Sequence, residues 1–122
     1  DGKINISYFE DAYHQMLTGL RYFYPDAKIV CATLMRTTLK HNNLWRFPEK
    51  TGKICIDDYN NAIQRAADYC HVGLADLAKQ HLNITELCMN DRRYETLDGT
   101  HPTAKGHQRI AEEWIGCLSK LL

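Results

Sequence analysis

Lys28-Ile29-Val30-Cys31-Ala32-Thr33 is a short run of mostly apolar, β-branched residues that follows soon after the turn Tyr24-Pro25-Asp26. A run without polar alternation is typical of a strand that is covered on both faces, as the strands of parallel sheets are. The proline ends the preceding segment, because the residue before a proline is disfavoured in a helix. We therefore predict a buried parallel strand at residues 28–33.

An amphipathic helix is predicted on the amino-terminal side of this strand. Ser7-Tyr8-Phe9-Glu10 has the form of a capping box, in which the serine and the glutamate satisfy backbone amides of the first turn. Apolar residues then recur at helical spacing: Phe9, Tyr13, Met16, Leu17, Leu20 and Tyr24. The pattern predicts a helix of about four turns, and it gives Ser7 a structural role.

A second helix and a second strand are predicted further along the chain. Asp57 or Asp58 can cap the helix, and its apolar stripe is formed by Tyr59, Ala62, Ile63, Ala66, Ala67 and Cys70. A face rich in alanine packs closely on a sheet. Residues 71–77 are mainly apolar and predict a short strand.

The carboxyl-terminal residues predict a third helix. Pro102 stands where a first-turn proline would, and the apolar face consists of Ile110, Ala111, Trp114, Ile115, Leu118, Leu121 and Leu122. The order is then α-β-loop-α-β-loop-α, which predicts an α/β fold with right-handed crossovers and a parallel sheet. No linker or internal repeat divides residues 1–122, so we expect a single unit.

Two parallel strands are too few for a complete sheet of this kind. They leave a strand edge unpaired and an apolar helix face without a partner. We therefore expect part of a three-layer, doubly wound parallel sheet that lacks its amino-terminal strands. The remainder would come from a preceding segment, a second chain or another copy of this chain.

The composition excludes several classes of partner. Lys and Arg number 15 and Asp and Glu also 15, so no basic surface favours nucleic acid. No apolar run approaches the roughly 20 residues of a membrane-spanning helix. The five cysteines are odd in number and are not spaced as zinc ligands. They predict free thiols and a reducing compartment such as the cytoplasm.

Asp98-Gly99-Thr100-His101-Pro102 carries the chemistry that the sequence offers. A carboxylate bonded to one nitrogen of an imidazole fixes its tautomer, which leaves the other nitrogen to accept a proton from a hydroxyl group. We predict His101 as the base and Asp98 as the residue that orients it. The other interpretation is structural, because Asp-Gly is a common turn pair and His-Pro can precede a helix.

Other residues are weaker candidates. His107 is the rival imidazole, but its helical position indicates a solvated or packed side chain. Cysteine chemistry at Cys31 or Cys88 has no activating feature in the sequence. Residues 34–53 have no sustained periodicity, and a long loop of this kind is usually functional or disordered. Its candidates for substrate binding are Arg36, His41 and Trp45.

Three blocks of the chain resemble the carboxyl-terminal part of the SGNH, or GDSL-type, hydrolases. Residues 22–30 resemble the family's helix end and its P-x-A-K-I-V strand entry. Residues 59–63 and 75–77 resemble the following helix and the D-L strand end. Residues 98–107 are similar to the D-G-x-H-P-x-x-x-G block, which is the most specific of the three.

The resemblance implies the flavodoxin-like α/β fold of the SGNH hydrolases and an esterase, lipase or acylhydrolase activity. Asp98 and His101 match the family's catalytic aspartate and histidine, and the implied reaction needs no metal or cofactor. The family's Gly-Asp-Ser block and its oxyanion-hole Gly and Asn match nothing here. Neither of the two serines, Ser7 and Ser119, lies in a glycine-flanked turn. The resemblance therefore implies an ester hydrolase segment that is inactive by itself.

A second interpretation belongs to a different class. The chain can be a non-catalytic α/β interaction or ligand-binding module, in which Asp98-Gly99 forms only a turn. This interpretation needs no serine from outside the chain.

Overall fold

The computed structural model describes residues 6–35, 56–78 and 102–122. These residues form three helices and two strands in the order of the chain: α1 (Ile6–Phe23), β1 (Val30–Ala32), α2 (Ile56–Cys70), β2 (Gly73–Ala75) and α3 (Ala104–Ser119). The strands pair in parallel, and the predicted α/β class is confirmed. No described helix is long and apolar enough to cross a bilayer.

The two strands are shorter than the apolar runs that predicted them. In the ladder Val30 lies opposite Gly73, Cys31 opposite Leu74 and Ala32 opposite Ala75. Two further backbone bonds continue the pairing at either end. The Gly73 amide donates to the Ile29 carbonyl over 2.9 Å, and the Thr33 amide donates to the Ala75 carbonyl over 3.1 Å.

One face of the strand pair carries the apolar core. Its buried members come from α1, β1 and α2: Leu17, Cys31, Ile63, Ala66 and Ala67. The alanines of α2 have no exposed surface, and their small side chains let the helix approach the strands closely. Burial raises the pKa of the Tyr13 hydroxyl, and so does its hydrogen bond with the Cys31 thiol.

The opposite face of the strands is covered by α3. Strand side chains alternate between faces, so Gly73 faces away from Leu74 and the core. A Cβ at Gly73 would lie 2.9 Å from Leu121 Cδ1 and 3.2 Å from Cys117 Sγ. Within the described residues α3 contacts both strands and neither of the other helices. The two strands therefore have helices on both sides.

Helix α1 begins at Ile6, one residue before the predicted cap at Ser7. Ser7 lies inside the first turn, and the Glu10 carboxylate pairs with Arg65 of α2. Arg65 donates from Nε to Oε1 over 2.9 Å and from Nη2 to Oε2 over 2.6 Å. The hydrogen bond from Arg65 lowers the pKa of Glu10. The pair joins α1 to α2 at their solvent-exposed surface.

The predicted starts of the other two helices also differ from the structure. Helix α2 begins at Ile56, which puts Asp57 and Asp58 inside its first turn rather than at the cap. The cap of α3 is Thr103, whose hydroxyl accepts from the Gly106 amide over 3.2 Å. Pro102 therefore precedes the cap instead of lying in the first turn.

The apolar face predicted for α3 is only partly covered. Ile110, Trp114 and Leu121 are half-buried, whereas Ile115 and Leu122 are exposed. The helical periodicity identified one apolar side correctly, but the two short strands are too narrow to cover all of it. The apolar face predicted for α1 is also only partly covered, because Leu17 is buried whereas Met16 and Leu20 are exposed.

Helix α2 ends in a Schellman motif, and this places His71 in a turn rather than in the predicted strand. The Val72 amide donates to the Ala67 carbonyl over 3.0 Å, and the His71 amide donates to the Asp68 carbonyl over 3.2 Å. His71 has a φ of 53°, which favours glycine. Arg21 stabilises this end from α1 by donating to the His71 carbonyl over 3.2 Å.

Substituting Gly73 with alanine is expected to destabilise the protein by about 1–3 kcal/mol, because the new methyl group overpacks the contact between β2 and α3. Urea unfolding checks this value. Gly19→Ala is the matched control, because a Cβ at Gly19 meets no atom within 4 Å. The control should stabilise α1 by roughly 0.5–1 kcal/mol. Equal effects of the two substitutions would contradict the close approach at Gly73.

Substituting His71 with glycine is expected to stabilise the protein by about 0.5–1 kcal/mol, because glycine adopts a positive φ without steric cost. The midpoint of thermal unfolding should rise accordingly. His71→Ala is the control, since it removes the imidazole and keeps the strain. If alanine stabilises as much as glycine does, the imidazole rather than the backbone is responsible.

Candidate functional site

The predicted catalytic residues Asp98 and His101 lie outside the described residues. So do the predicted substrate-binding candidates Arg36, His41 and Trp45. The structure describes the part of the fold to which these segments are joined. It comprises the carboxyl ends of β1 and β2 and the start of α3. In open parallel sheets, ligands bind beyond the carboxyl ends of the strands.

Thr33 and Asp76 link the two strands at this end. Each residue directly follows its strand, and Thr33 is buried. The Thr33 hydroxyl donates to Asp76 Oδ1 over 3.0 Å and accepts from the Ala78 amide over 2.9 Å. The hydroxyl group of Thr33, just after β1, thus binds both a side chain and a backbone amide of the segment that follows β2.

Asn60 holds the next residue of the chain after Thr33. The Leu34 amide donates to Asn60 Oδ1 over 2.7 Å, and Asn60 Nδ2 donates to the Leu34 carbonyl over 3.1 Å. The side-chain amide therefore bonds to both backbone groups of one residue, as a neighbouring strand would. Asn60 is 6% exposed, and a buried amide left without these bonds would be costly.

Helix α3 packs on both strands. Its carboxyl-terminal end lies near the amino end of β2, since Cys117 and Leu121, the latter two residues beyond the helix, approach Gly73. Helices of α/β folds run roughly antiparallel to the strands they cover. We therefore expect the amino-terminal end of α3, after the cap Thr103, and with it the positive end of the helix dipole, on the side of the carboxyl ends of β1 and β2.

Two described histidines outside the motif, His107 and His14, lie on helices. His107 is exposed on α3, which agrees with the solvated position expected for it. His14 stacks on Tyr69 with 5.0 Å between the ring centroids. Its Nε2 is buried and has no hydrogen-bond partner within the described part of the chain.

Cys31, the described one of the two candidate cysteines, is a packed thiol rather than a nucleophile. Cys31 is 3% exposed, and burial raises its pKa although the hydrogen bond from Tyr13 opposes this. A thiol with a raised pKa is a poor nucleophile. Cys70 and Cys117 are free as well, and Cys88 lies outside the described residues. Within residues 6–35, 56–78 and 102–122, no group of three His, Cys, Asp or Glu side chains could hold a metal ion.

The sequence pattern predicts no separate role for Thr33 or Asn60. A signal for Asn60 was present, because it lies at helical spacing from Ile56, Ile63 and Ala67, which are all buried. A polar residue at an apolar position of a helix is usually bonded when it is buried. The partner could not be read from the pattern, because Leu34 is far away in the sequence.

Substituting Thr33 with valine is expected to lower the free energy of unfolding by about 1–3 kcal/mol, because the Ala78 amide and Asp76 each lose a hydrogen-bond partner. Denaturant unfolding measures the change. Thr33→Ser is the matched control, since it keeps the hydroxyl and should retain most of the stability. Valine and serine variants of equal stability would contradict this role of the hydroxyl.

Comparison with known families identifies one match. The model of the GDSL-like Lipase/Acylhydrolase family matches residues 2–109. A search of curated proteins finds no match. The matched range includes α1, α2, both strands and the first residues of α3, so it contains the Asp98 to His101 motif and the polar residues at the carboxyl ends of the strands. It covers most of the chain, and the resemblance of the three sequence blocks is confirmed. The chain belongs to the GDSL-like lipase/acylhydrolase family.

Proposed function

We propose that this chain supplies the aspartate and the histidine of a serine ester hydrolase. The observation that supports this proposal most directly is the Asp98-x-x-His101 motif. His101 directly precedes Pro102, which is followed by Thr103, the cap of α3. Because helices of α/β folds run roughly antiparallel to the strands they cover, we expect the start of this helix at the carboxyl ends of the strands, where sites in such sheets are found. Membership of the family supports hydrolysis of an ester.

In the proposed reaction His101 removes the proton from a serine hydroxyl as the serine attacks the ester carbonyl. It then returns the proton to the departing alcohol, and water resolves the acyl-enzyme in the same two stages. Asp98 bonds to the other ring nitrogen and holds the tautomer. The Asp98 charge favours the imidazolium, whereas the amino-terminal end of the α3 dipole opposes it. No metal or cofactor takes part.

The nucleophile in this proposal comes from polypeptide outside the 122 residues. Ser7 lies within α1, and the Ser119 hydroxyl donates to the Ile115 carbonyl over 2.8 Å at the end of α3. Both positions are poor for a nucleophile. We further propose that the missing polypeptide, either an amino-terminal segment or a second copy, completes a three-layer doubly wound sheet. The exposed apolar residues of α3 support further strands beside the two that are described.

The alternative is a non-catalytic interaction or ligand-binding module of the same fold. The observation in its favour is that neither serine of the chain is placed as a nucleophile. This alternative predicts that the motif residues have no effect on binding, so the same variants distinguish the two functions.

Substituting His101 with alanine is expected to lower kcat/KM by about 10³-fold or more, because the serine loses its base. The measurement is hydrolysis of p-nitrophenyl acetate by the 122 residues produced together with the proposed serine-bearing segment. Asp98→Asn should also lower the rate, because the amide fails to hold the required tautomer. The isolated 122 residues should be inactive.

His107→Ala is the matched control, because it removes an exposed imidazole from the same region and should retain full activity. Equal rates for the wild type and the His101→Ala variant would overturn the proposed catalytic role. If no Gly-Asp-Ser element is encoded with this chain and no hydrolysis is found, the non-catalytic function is favoured.

A further inference from the structure

Within the described part of the chain, no strand pairs with the side of β1 that faces away from β2. The two strands form a parallel pair, in which β1 bonds to β2 through alternate residues. These residues are Ile29, Cys31 and Thr33, because the Ile29 carbonyl and the Thr33 amide both bond to β2. The amides and carbonyls of Val30 and Ala32 therefore point the other way. We call these four groups the outer edge of β1.

The outer edge of β1 ends at Leu34. After Val30 and Ala32, Leu34 is the next residue whose backbone groups turn away from β2. The Leu34 amide donates to Asn60 Oδ1 over 2.7 Å, and the Leu34 carbonyl accepts from Asn60 Nδ2 over 3.1 Å. Asn60 is buried. Its side chain thus occupies both of the groups that a neighbouring strand would need at Leu34.

Helix α1 lies over the space beyond this edge. Helix α2 packs on both strands, whereas α1 packs on α2 and on neither strand backbone. The Tyr13 hydroxyl of α1 bonds to the Cys31 thiol of β1, so α1 is on the β1 side of α2. Packed helices are about 8–10 Å apart, and neighbouring strands are about 4.8 Å apart. The axis of α1 therefore lies beyond β1, above the place of one or two further strands.

The two helices on this face run in the same direction. Phe9 of α1 contacts Tyr59 of α2 near the start of both helices, and Arg21 reaches the His71 carbonyl at the end of both. Helix α2 is the crossover that joins the parallel strands β1 and β2. By the same geometry, α1 is suited to be the crossover between a preceding strand and β1.

We propose that a strand of the serine-bearing segment pairs in parallel with Val30 and Ala32 at the outer edge of β1, and that Asn60 ends this pairing at Leu34. The proposal rests on the proposed function, which requires that segment. Backbone pairing at an open edge is a general way for a sheet to bind a partner. The added strand lies beneath α1 inside a three-layer sheet, so we expect it to be mainly apolar.

Amide hydrogen exchange, measured residue by residue, tests the pairing. The 122 residues are compared alone and together with the polypeptide encoded directly before them. Addition of that polypeptide should slow exchange of the Val30 and Ala32 amides by about tenfold or more, because hydrogen-bonded amides are protected. The Leu34 amide should be protected equally in both samples, because Asn60 already binds it.

Substituting Ala32 with proline blocks the outer edge. It removes one outward amide but no bond to β2, and proline is tolerated on the open side of an edge strand. The variant alone should keep a cooperative thermal transition, yet it should bind the preceding polypeptide about tenfold more weakly or worse. Ala32→Ser is the matched control, because it keeps the amide and should bind as the wild type does.

Substituting Asn60 with alanine tests where the pairing ends. Both backbone groups of Leu34 lose their partner, so the Leu34 amide should exchange rapidly in the variant alone and become protected when the preceding polypeptide is added. Asn61→Ala removes the exposed neighbouring amide and should behave as the wild type does. If the Asn60→Ala variant does not fold, unchanged exchange at Leu34 in the wild type tests the same point.

The outcomes separate this inference from the proposed function. Slowed exchange at Val30 and Ala32, with no change at Leu34, supports the inference. Unchanged exchange at Val30 and Ala32 in a complex that hydrolyses p-nitrophenyl acetate overturns it and leaves the hydrolase function standing. Protection that grows with the concentration of the 122 residues alone identifies a second copy as the occupant and also overturns it. Slowed exchange without any hydrolysis that depends on His101 overturns the proposed function alone.

Discussion

The parallel pairing of β1 with β2 is the contact on which the other described elements depend. The six strand residues align Cys31 and Leu74 on one face, where they meet the core residues of α1 and α2. They align Val30 and Gly73 on the other face, where Cys117 of α3 and Leu121, two residues beyond that helix, lie. A shift of one residue in the register would exchange these faces. The absence of a side chain at Gly73 and the small alanines of α2 allow helices to approach both sides.

Hydrogen bonds at the carboxyl ends of β1 and β2 hold in place the residues that directly follow the two strands. The Thr33 hydroxyl links the residues that follow β1 to those that follow β2. The Asn60 side-chain amide binds both backbone groups of Leu34, as a neighbouring strand would. Because these bonds are buried, their loss would leave polar groups unsatisfied. They therefore hold the chain in place at the end where open parallel sheets bind ligands. Rigid elements hold a catalytic group more accurately than loops do.

The family assignment and the structure concern different parts of the molecule. The family model spans most of the chain and supports ester hydrolysis, whereas the described residues form the strands and helices to which the segment with the predicted dyad is joined. The exposed apolar residues of α1 and α3, such as Met16 and Ile115, are what a larger doubly wound sheet would have to cover. The proposed serine-bearing segment would supply the nucleophile that the dyad needs. It would also supply additional strands against which these apolar residues could pack.

The amino-acid sequence by itself determined the class of fold, the order of the five elements and the candidate Asp98 and His101. These follow from local patterns, because apolar periodicity distinguishes helices from strands and a short motif identifies the family. Only the tertiary structure decided the register of the strands and the partners of Thr33 and Asn60. Each of these depends on contacts between distant parts of the chain, as the bond between Leu34 and Asn60 does. A one-dimensional pattern contains no distance between such residues, so it cannot pair them.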